Sequence, residues 1–496
     1  MKKNIYIIGA GFSSLSASCY LAKAGYNVTV LEKNSTIGGR ARQFIKDGFT
    51  FDIGPTWYWM PDVFDSFFND FNKTTSDYYQ LEKLNPGYQV YFDVLESILI
   101  GDNLDQICEV FEKEEKGSSV FLRKFINEAK NNYEIAIKDL VYKPGLSIFE
   151  LITPQTITKL NQFFTTVSYQ VRGHIKSPKL IQILEFPVLF LGAKPSDTPS
   201  FYNFMNYADF GLGTWHPKGG MYEVVKAMES LAKELGVKFL TNQNVEKIVV
   251  NNNTINGLIV NGEFLEADIV LSGADYQHTE SLLDENYRVY SQSYWEKKTF
   301  APSSLLFYVG LNKKLENVSH HTLFFDSDFD LHAKDIYDNK RWPDNPLFYA
   351  SFPSITDDSF APNGNEAATF LIPISPGIED TPEIREKYFN LIINRLEKLT
   401  KQNIKDSILF YESYCVKDFI NDYNSYKGNA YGMANTLMQT AFLRPKIKSK
   451  KVKNLFFTGQ LTVPGPGVPP SLISGKIVSN LILKQLKLNI DHETTI

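Results

Sequence analysis

The stretch that most limits what this chain can fold into runs from Lys3 to Glu32. Ile5, Tyr6, Ile7 and Ile8 form a short, nearly continuous apolar run, the pattern of a strand buried on both faces. The turn Gly9-Ala10-Gly11-Phe12-Ser13-Ser14 follows at once. From Ser14 to Ala24, small and apolar residues (Leu15, Ala17, Ser18, Leu21, Ala22) recur at helical spacing, and Gly25 suits a helix end with positive φ. A second strand, Asn27 to Leu31, closes on Glu32. Strand, helix and strand in this order make a parallel unit that needs helices over its sheet, so the expected class is α/β.

The same unit has the layout of a dinucleotide site. Gly9 permits the tight turn, and Gly11, without a side chain, lets backbone approach a pyrophosphate at the positive end of the helix. Glu32, about twenty residues past the turn, is placed to accept hydrogen bonds from a ribose. The pattern departs at its third glycine position, which holds Ser14. That position serves close helix–strand packing, so a serine predicts a slight displacement with the site retained.

Gly38-Gly39-Arg40-Ala41-Arg42 comes soon after the acid, followed by Gly48-Phe49-Thr50-Phe51-Asp52-Ile53-Gly54-Pro55. Paired glycines let amides close over a diphosphate, and arginine adds fixed positive charge for its oxygens. The run resembles the start of the flavoprotein amine oxidase and phytoene desaturase superfamily, where such a segment wraps FAD. The resemblance implies a Rossmann-type FAD-binding domain whose cofactor meets Gly9, Gly11, Ser13, Ser14, Glu32, Gly38, Gly39, Arg40, Arg42, Gly54 and Pro55.

Further along, Trp215-His216-Pro217-Lys218-Gly219-Gly220-Met221 opens a helix, Tyr222 to Leu235. Strands are expected at Val237 to Leu240, Val245 to Val250 and Ala267 to Ser272, with Asn256-Gly257 and Asn261-Gly262 as turn signals around Leu258-Ile259-Val260. This placement resembles the superfamily's crossover meander, which implies that Val245 contacts adenine through backbone groups. Near the C-terminus, the strand Asn454 to Gly459 leads into Gln460-Leu461-Thr462-Val463-Pro464-Gly465-Pro466-Gly467-Val468-Pro469-Pro470 and a helix from Ser471. A glycine-rich turn at a helix N-terminus presents amides to an electron-rich group. It resembles the flavin-contacting motif of the bacterial-type phytoene desaturases and their carotenoid desaturase and isomerase relatives, adding Gly459, Gly467 and Val468 to the implied site. The FAD domain is then discontinuous, residues 1–85 with 216–285 and 425–496, and residues 86–215 with 286–424 form a mixed α+β substrate and membrane-associating domain.

Composition sets the outer bounds. With 496 residues and 43% hydrophobic content, two extensive cores are feasible. A formal net charge of −5 without a long basic block argues against a nucleic-acid partner. No charged leader with an apolar stretch and cleavage site precedes the first strand, so no secretory signal is expected. Cys19, Cys108 and Cys415 are widely separated and odd in number, which fits a reducing cytoplasm and neither a disulfide framework nor a metal site. No run of eighteen apolar residues suggests a membrane span, which leaves peripheral attachment to the cytoplasmic membrane.

Several stretches invite a role. Trp57, Tyr58 and Trp59, with Phe64, Phe67, Phe68 and Phe71, follow the glycines and are expected either to border the reaction site or to pack. Ile181 to Leu191, broken by Pro187 and flanked by Lys176, Lys179 and Lys194, is a candidate membrane entrance, with a core helix as the alternative. Glu185, the sole carboxylate within it, is a candidate acid–base group if unpaired, or a paired or surface glutamate if not. Adjacent His320 and His321, near His332, are read as non-metal because neighbouring strand side chains diverge.

The resemblance implies an FAD-dependent desaturase acting on a hydrophobic polyene, taking phytoene towards lycopene. A carotenoid isomerase or later-step desaturase shares the motifs. A flavin amine oxidase is a further enzyme alternative, and a prenyl-binding carrier like the Rab GDP-dissociation inhibitors is the alternative from another class.

Overall fold

The computed structural model describes residues 3–138 and 140–493. Its first sheet is parallel, with strands in the order Leu455–Phe457, Ile269–Ser272, Asn4–Ile8, Asn27–Leu31 and Lys238–Leu240. Ile7 stands in register with Leu271 on one side and Val30 on the other. One face of the sheet packs on helices and the other on strand residues such as Ile248 and Leu258, so both faces are covered and these strands read as continuous apolar runs. The helix Phe12–Lys23 lies against the C-terminal helix Val468–Glu493 and against Met221–Glu234. The first contact is close: a Cβ on Gly475 would sit 2.5 Å from the Ser13 carbonyl, and Ser16 Oγ donates to Leu472 O at 2.8 Å.

The antiparallel meander Val245–Asn251, Thr254–Val260 and Glu263–Glu266 extends this half. Its first turn is not at Asn256-Gly257, which lies inside the second strand, but at Asn252 and Asn253, with φ of 49° and 60°. Two successive left-handed residues match hairpin twist, and asparagine tolerates that conformation. Gly257 instead makes room for the Phe264 ring, 2.4 Å from where its Cβ would be.

The second large sheet has seven strands, ordered Ile408–Tyr414, Ser303–Leu311, Glu366–Ile374, Phe348–Ser351, His321–Phe324, Tyr88–Asp93 and Glu96–Ile100. Its two faces divide by the period-two alternation of strand side chains. Leu305, Phe307, Phe348 and Phe370 pack with Ile392 and Leu396 of the helix Pro382–Thr400. On the other face Leu306, Leu371, Tyr349 and Leu323 are successive cross-strand partners. That second face meets the helices Ser118–Lys138, Pro178–Glu185 and Phe204–Phe210 across a cluster rich in aromatic side chains.

Among the described residues no helix is long and apolar enough to cross a membrane.

Candidate functional site

The strand ends and glycine turns converge on one cavity of about 450 Å³. Gly9 turns the chain with φ of 82°, and Gly38, whose amide donates to Ala10 O at 2.9 Å, folds the second glycine segment back onto the first. A Cβ on Gly54 would fall 2.1 Å from the Arg40 carbonyl, and one on Gly39 would lie 3.1 Å from Gly11 Cα. Only backbone fits at these crossings. Gly11 itself has no protein atom within 4 Å of its missing Cβ, so that side faces open cavity. Gly9, Gly11, Ser13, Glu32, Gly38, Gly39, Arg40, Gly54, Pro55, Val245, Gly459, Gly467 and Val468 all line it.

Glu32 is held by its own surroundings: Ala10 N donates to Oε2 at 2.8 Å, and Asn34 N donates to Oε1 at 2.9 Å. Asn34 Nδ2 also donates to Oε1 at 3.0 Å, so Oε2, with a single donor, keeps the acceptor capacity for a ligand. Arg40 donates to Ser425 Oγ at 3.1 Å and Asn429 O at 3.2 Å, while its Nε has no partner. A cation with an unpartnered donor, beside crossings too tight for a Cβ and an acid at the strand end, suits an elongated anionic dinucleotide.

Two predicted contacts fall elsewhere. Arg42 is not on the cavity; it pairs with Asp422 and stacks against Tyr423 at 5.2 Å. Its charge is paired with a carboxylate and not turned into the cavity. Ser14 is also off the cavity and wholly buried, its hydroxyl unpartnered. A Cβ on Gly273 would lie 2.0 Å from Ser14 Oγ, so the opposing glycine supplies the room that Ser14 occupies.

The cavity continues past the nucleotide end into an apolar half walled by Trp57, Trp59, Phe186, Leu189, Leu191, Phe325 and Phe329, and by the Leu306–Leu371–Tyr349–Leu323 row. Trp57 and Trp59 thus border the site, whereas Tyr58 stacks on Phe64 at 4.2 Å and Phe67, Phe68 and Phe71 pack in the core beneath the first sheet.

The stretch Ile181 to Leu191 is not a surface entrance. Ile183, Leu184, Phe186, Val188 and Leu191 are buried, and Phe186, Leu189 and Leu191 face the cavity. The side chain of Phe190 lies outside the described residues. Lys179 pairs with Glu96 and Glu114, and Lys194 with Asp338 and Asp197, so these lysines serve ion pairs. Its apolarity comes from core packing at Ile183, Leu184 and Val188, as in the core-helix alternative, and from walling the cavity at Phe186, Leu189 and Leu191.

Glu185 is buried, yet both oxygens accept from Arg172 at 2.8 Å, and Arg172 also pairs with Asp330. It does not line the cavity. A bidentate partner occupies both carboxylate oxygens away from the cavity, so Glu185 is a paired structural glutamate and no acid–base group of the site.

His320 and His321 do not diverge. Their ring centroids are 4.4 Å apart, and His320 lies 4.7 Å from His216. His216 Nε2 faces Asp357 Oδ2 at 3.1 Å. Burial pushes the Asp357 carboxyl up, but bonds from His216, Gly219 N and Ser359 outweigh it and hold the group below the usual range. Among the described residues no group of three or more His, Cys, Asp or Glu could hold a metal ion.

Sequence reasoning missed Asp275, Thr56 and Tyr349. Asp275 follows the strand Ile269–Ser272 at the carboxyl end of the parallel sheet, where ligands bind, and that placement could have flagged it. Thr56 and Tyr349 reach the cavity through sheet pairing that no local pattern encodes.

A family model described as flavin containing amine oxidoreductase matches residues 12–483. The chain is 39% identical over 489 residues to a carotenoid 3,4-desaturase of Haloarcula japonica, covering 98% of this chain and 99% of that one. It is 30% identical over 500 residues to a zeta-carotene-forming phytoene desaturase of Myxococcus xanthus, covering 97% and 94%. Among solved structures, an oxidoreductase from Methanosarcina mazei superposes with a TM-score of 0.64 at 17% identity, over 96% of this chain and 100% of that one, which speaks to fold alone.

Proposed function

Because the chain belongs to the flavin containing amine oxidoreductase family, we propose that it is an FAD-dependent carotenoid desaturase, introducing a carbon–carbon double bond into a long polyene. The observation that carries this reading is the continuity of the cavity. A glycine cradle with Glu32 and Arg40 at one end runs without a break into an apolar half walled by leucine, phenylalanine and tryptophan. When bound, FAD supplies the two-electron acceptor for this chemistry. The chain's own part is to hold the cofactor at the strand ends, to seat the polyene on the Leu306–Leu371–Tyr349–Leu323 row, and to keep water out with the aromatic wall. In this reading residues 1–85, 216–285 and 425–496 hold the cofactor and residues 86–215 and 286–424 seat the polyene, with Trp57 and Trp59 of the first group joining the aromatic wall.

Relatives act on phytoene and at the 3,4 bond. The test is therefore expression in a host that makes only phytoene, and in parallel in one that makes lycopene, followed by pigment chromatography. Added conjugated double bonds move absorption to longer wavelength. No new pigment in either host would reject the reading.

A polyene insoluble in water must be collected from a bilayer, and peripheral attachment has support away from the tunnel wall. Leu146, Ile148, Phe149, Ile152, Ile157, Leu160 and Phe164 are exposed, Phe149 at 76% and Phe164 at 77%. A run of this kind on a surface marks an interaction site. Lys446 Nζ donates to Gly145 O at 2.7 Å, tying the start of this run to a basic segment in which Lys450, Lys451 and Lys453 are exposed, as suits anionic headgroups. The three cysteines, free and buried, support a reducing compartment.

A further inference from the structure

Desaturation removes a hydride from one carbon and a proton from its neighbour. With Glu185 locked to Arg172, the proton needs another acceptor. In the apolar half, the described residues that line the cavity and carry an ionisable group are His332, Tyr337, Tyr349 and Tyr431. Both nitrogens of His332 are engaged, Nε2 with Pro373 O and Nδ1 with Leu347 N, each at 3.0 Å. Tyr349 differs from all of these: its hydroxyl lies 2.6 Å from His321 Nδ1 and 2.8 Å from Thr56 Oγ1.

Sheet geometry fixes this dyad. Leu323 pairs with Tyr349 and His321 with Ser351, so His321 and Tyr349 are diagonal neighbours on one face of adjacent strands. Trp57 stacks on the imidazole at 4.2 Å and 10°, setting its plane. His321 is fully buried, and its Nε2 has no partner. An imidazole supported by a phenol at one nitrogen and unsatisfied at the other is costly for stability, which makes a role in chemistry the better account.

We propose that Tyr349 is the proton acceptor of the desaturation, with His321 as the base behind it; this rests on the desaturase reading. With FAD bound to supply the hydride acceptor, the neighbouring C–H bond would break and its electron pair would become the second bond of the new alkene. The proton passes to the Tyr349 oxygen while the phenol's own proton moves to His321 Nδ1. Tyr349 stays neutral and His321, starting with its hydrogen on Nε2, becomes imidazolium. Burial, and then His216 nearby, hold His321 well below the usual histidine range, so it starts neutral with Nδ1 free to accept.

The test uses the FAD-loaded enzyme with the polyene that the wild type turns over, comparing Tyr349→Phe and His321→Gln. Expected are a fall in kcat of about 10²-fold or more with KM unchanged, unaltered flavin stoichiometry, and normal polyene binding by tryptophan-fluorescence quenching. Deuterium at the proton-losing carbon should slow the variants more than the wild type, because that bond cleavage becomes limiting. An unchanged kcat in Tyr349→Phe, or a loss confined to KM or flavin content, overturns the assignment and leaves a packing role. A wild type that desaturates nothing removes the parent reading and this assignment together, an outcome distinct from an active wild type with an unimpaired variant.

Discussion

Gly11 and Ser14 show how differently two positions of one turn respond to a side chain. Nothing in the protein lies within 4 Å of the missing Gly11 Cβ, so Gly11→Val should fold with a Tm close to wild type and still lose flavin. The flavin-to-protein absorbance ratio checks this, and a full complement in the folded variant would reject the cradle. Glu32→Ala is a less clean probe, since it also strips the acceptor from Ala10 N and Asn34 N and costs about 1–3 kcal/mol of stability besides. Ser14 is coupled to Gly273. Gly273→Ala should destabilise the protein strongly, because its Cβ would meet Ser14 Oγ at 2.0 Å. Ser14→Gly should be tolerated alone, with flavin kept, and should rescue Gly273→Ala in the double variant. Melting temperatures of the four-member cycle decide it; additive losses would show that the two positions do not share the space.

At the scale of elements, the helix Phe204–Phe210 carries a carboxylate into the aromatic cluster. Burial pushes Asp209 up to about 8, and the hydrogen bond donated by Tyr88 at 2.8 Å offsets only part of that. The folded state therefore holds this proton more tightly than the unfolded chain, whose carboxyl titrates near about 3.9. Between those values the folded protein binds more protons, so stability is full below the window and declines as pH rises through it, by up to about 1.4 kcal/mol per pH unit. Asp209→Asn keeps an acceptor for Tyr88 and removes the titration. Thermal melts should show variant and wild type alike near the bottom of the window and the variant more stable at pH 8. Parallel curves across the window would mean that Asp209 titrates normally.

For the molecule as a whole, the question is which face meets a bilayer. The exposed run around Phe149 and Phe164 predicts that Phe149→Asp with Phe164→Asp lowers sedimentation with phosphatidylglycerol vesicles several-fold, while flavin content and Tm hold, since neither side chain is buried. Wild-type vesicle binding by the double variant would move attachment elsewhere. Loss of flavin would show that the run supports the fold.

The chain by itself determined the parallel sheet and most of the cofactor cradle, because those features are local. A strand, a turn and a helix declare themselves by spacing, Gly9, Gly11, Gly38, Gly39 and Gly54 act through backbone shape, and Glu32 is placed by the end of its strand, all of which sequence encodes directly. Side chains whose partners are distant in sequence were decided only by tertiary structure. Arg42 could not be known to be neutralised until Asp422 stood beside it, nor Glu185 until Arg172 did. Ile181 to Leu191 reads equally as a membrane entrance or a core helix, because apolarity is the same signal whether it faces lipid, core or cavity; only the packing against the second sheet tells which. The Tyr349–His321 pair exists solely through the register of two adjacent strands, and a register is a property of pairs of segments that neither segment carries alone.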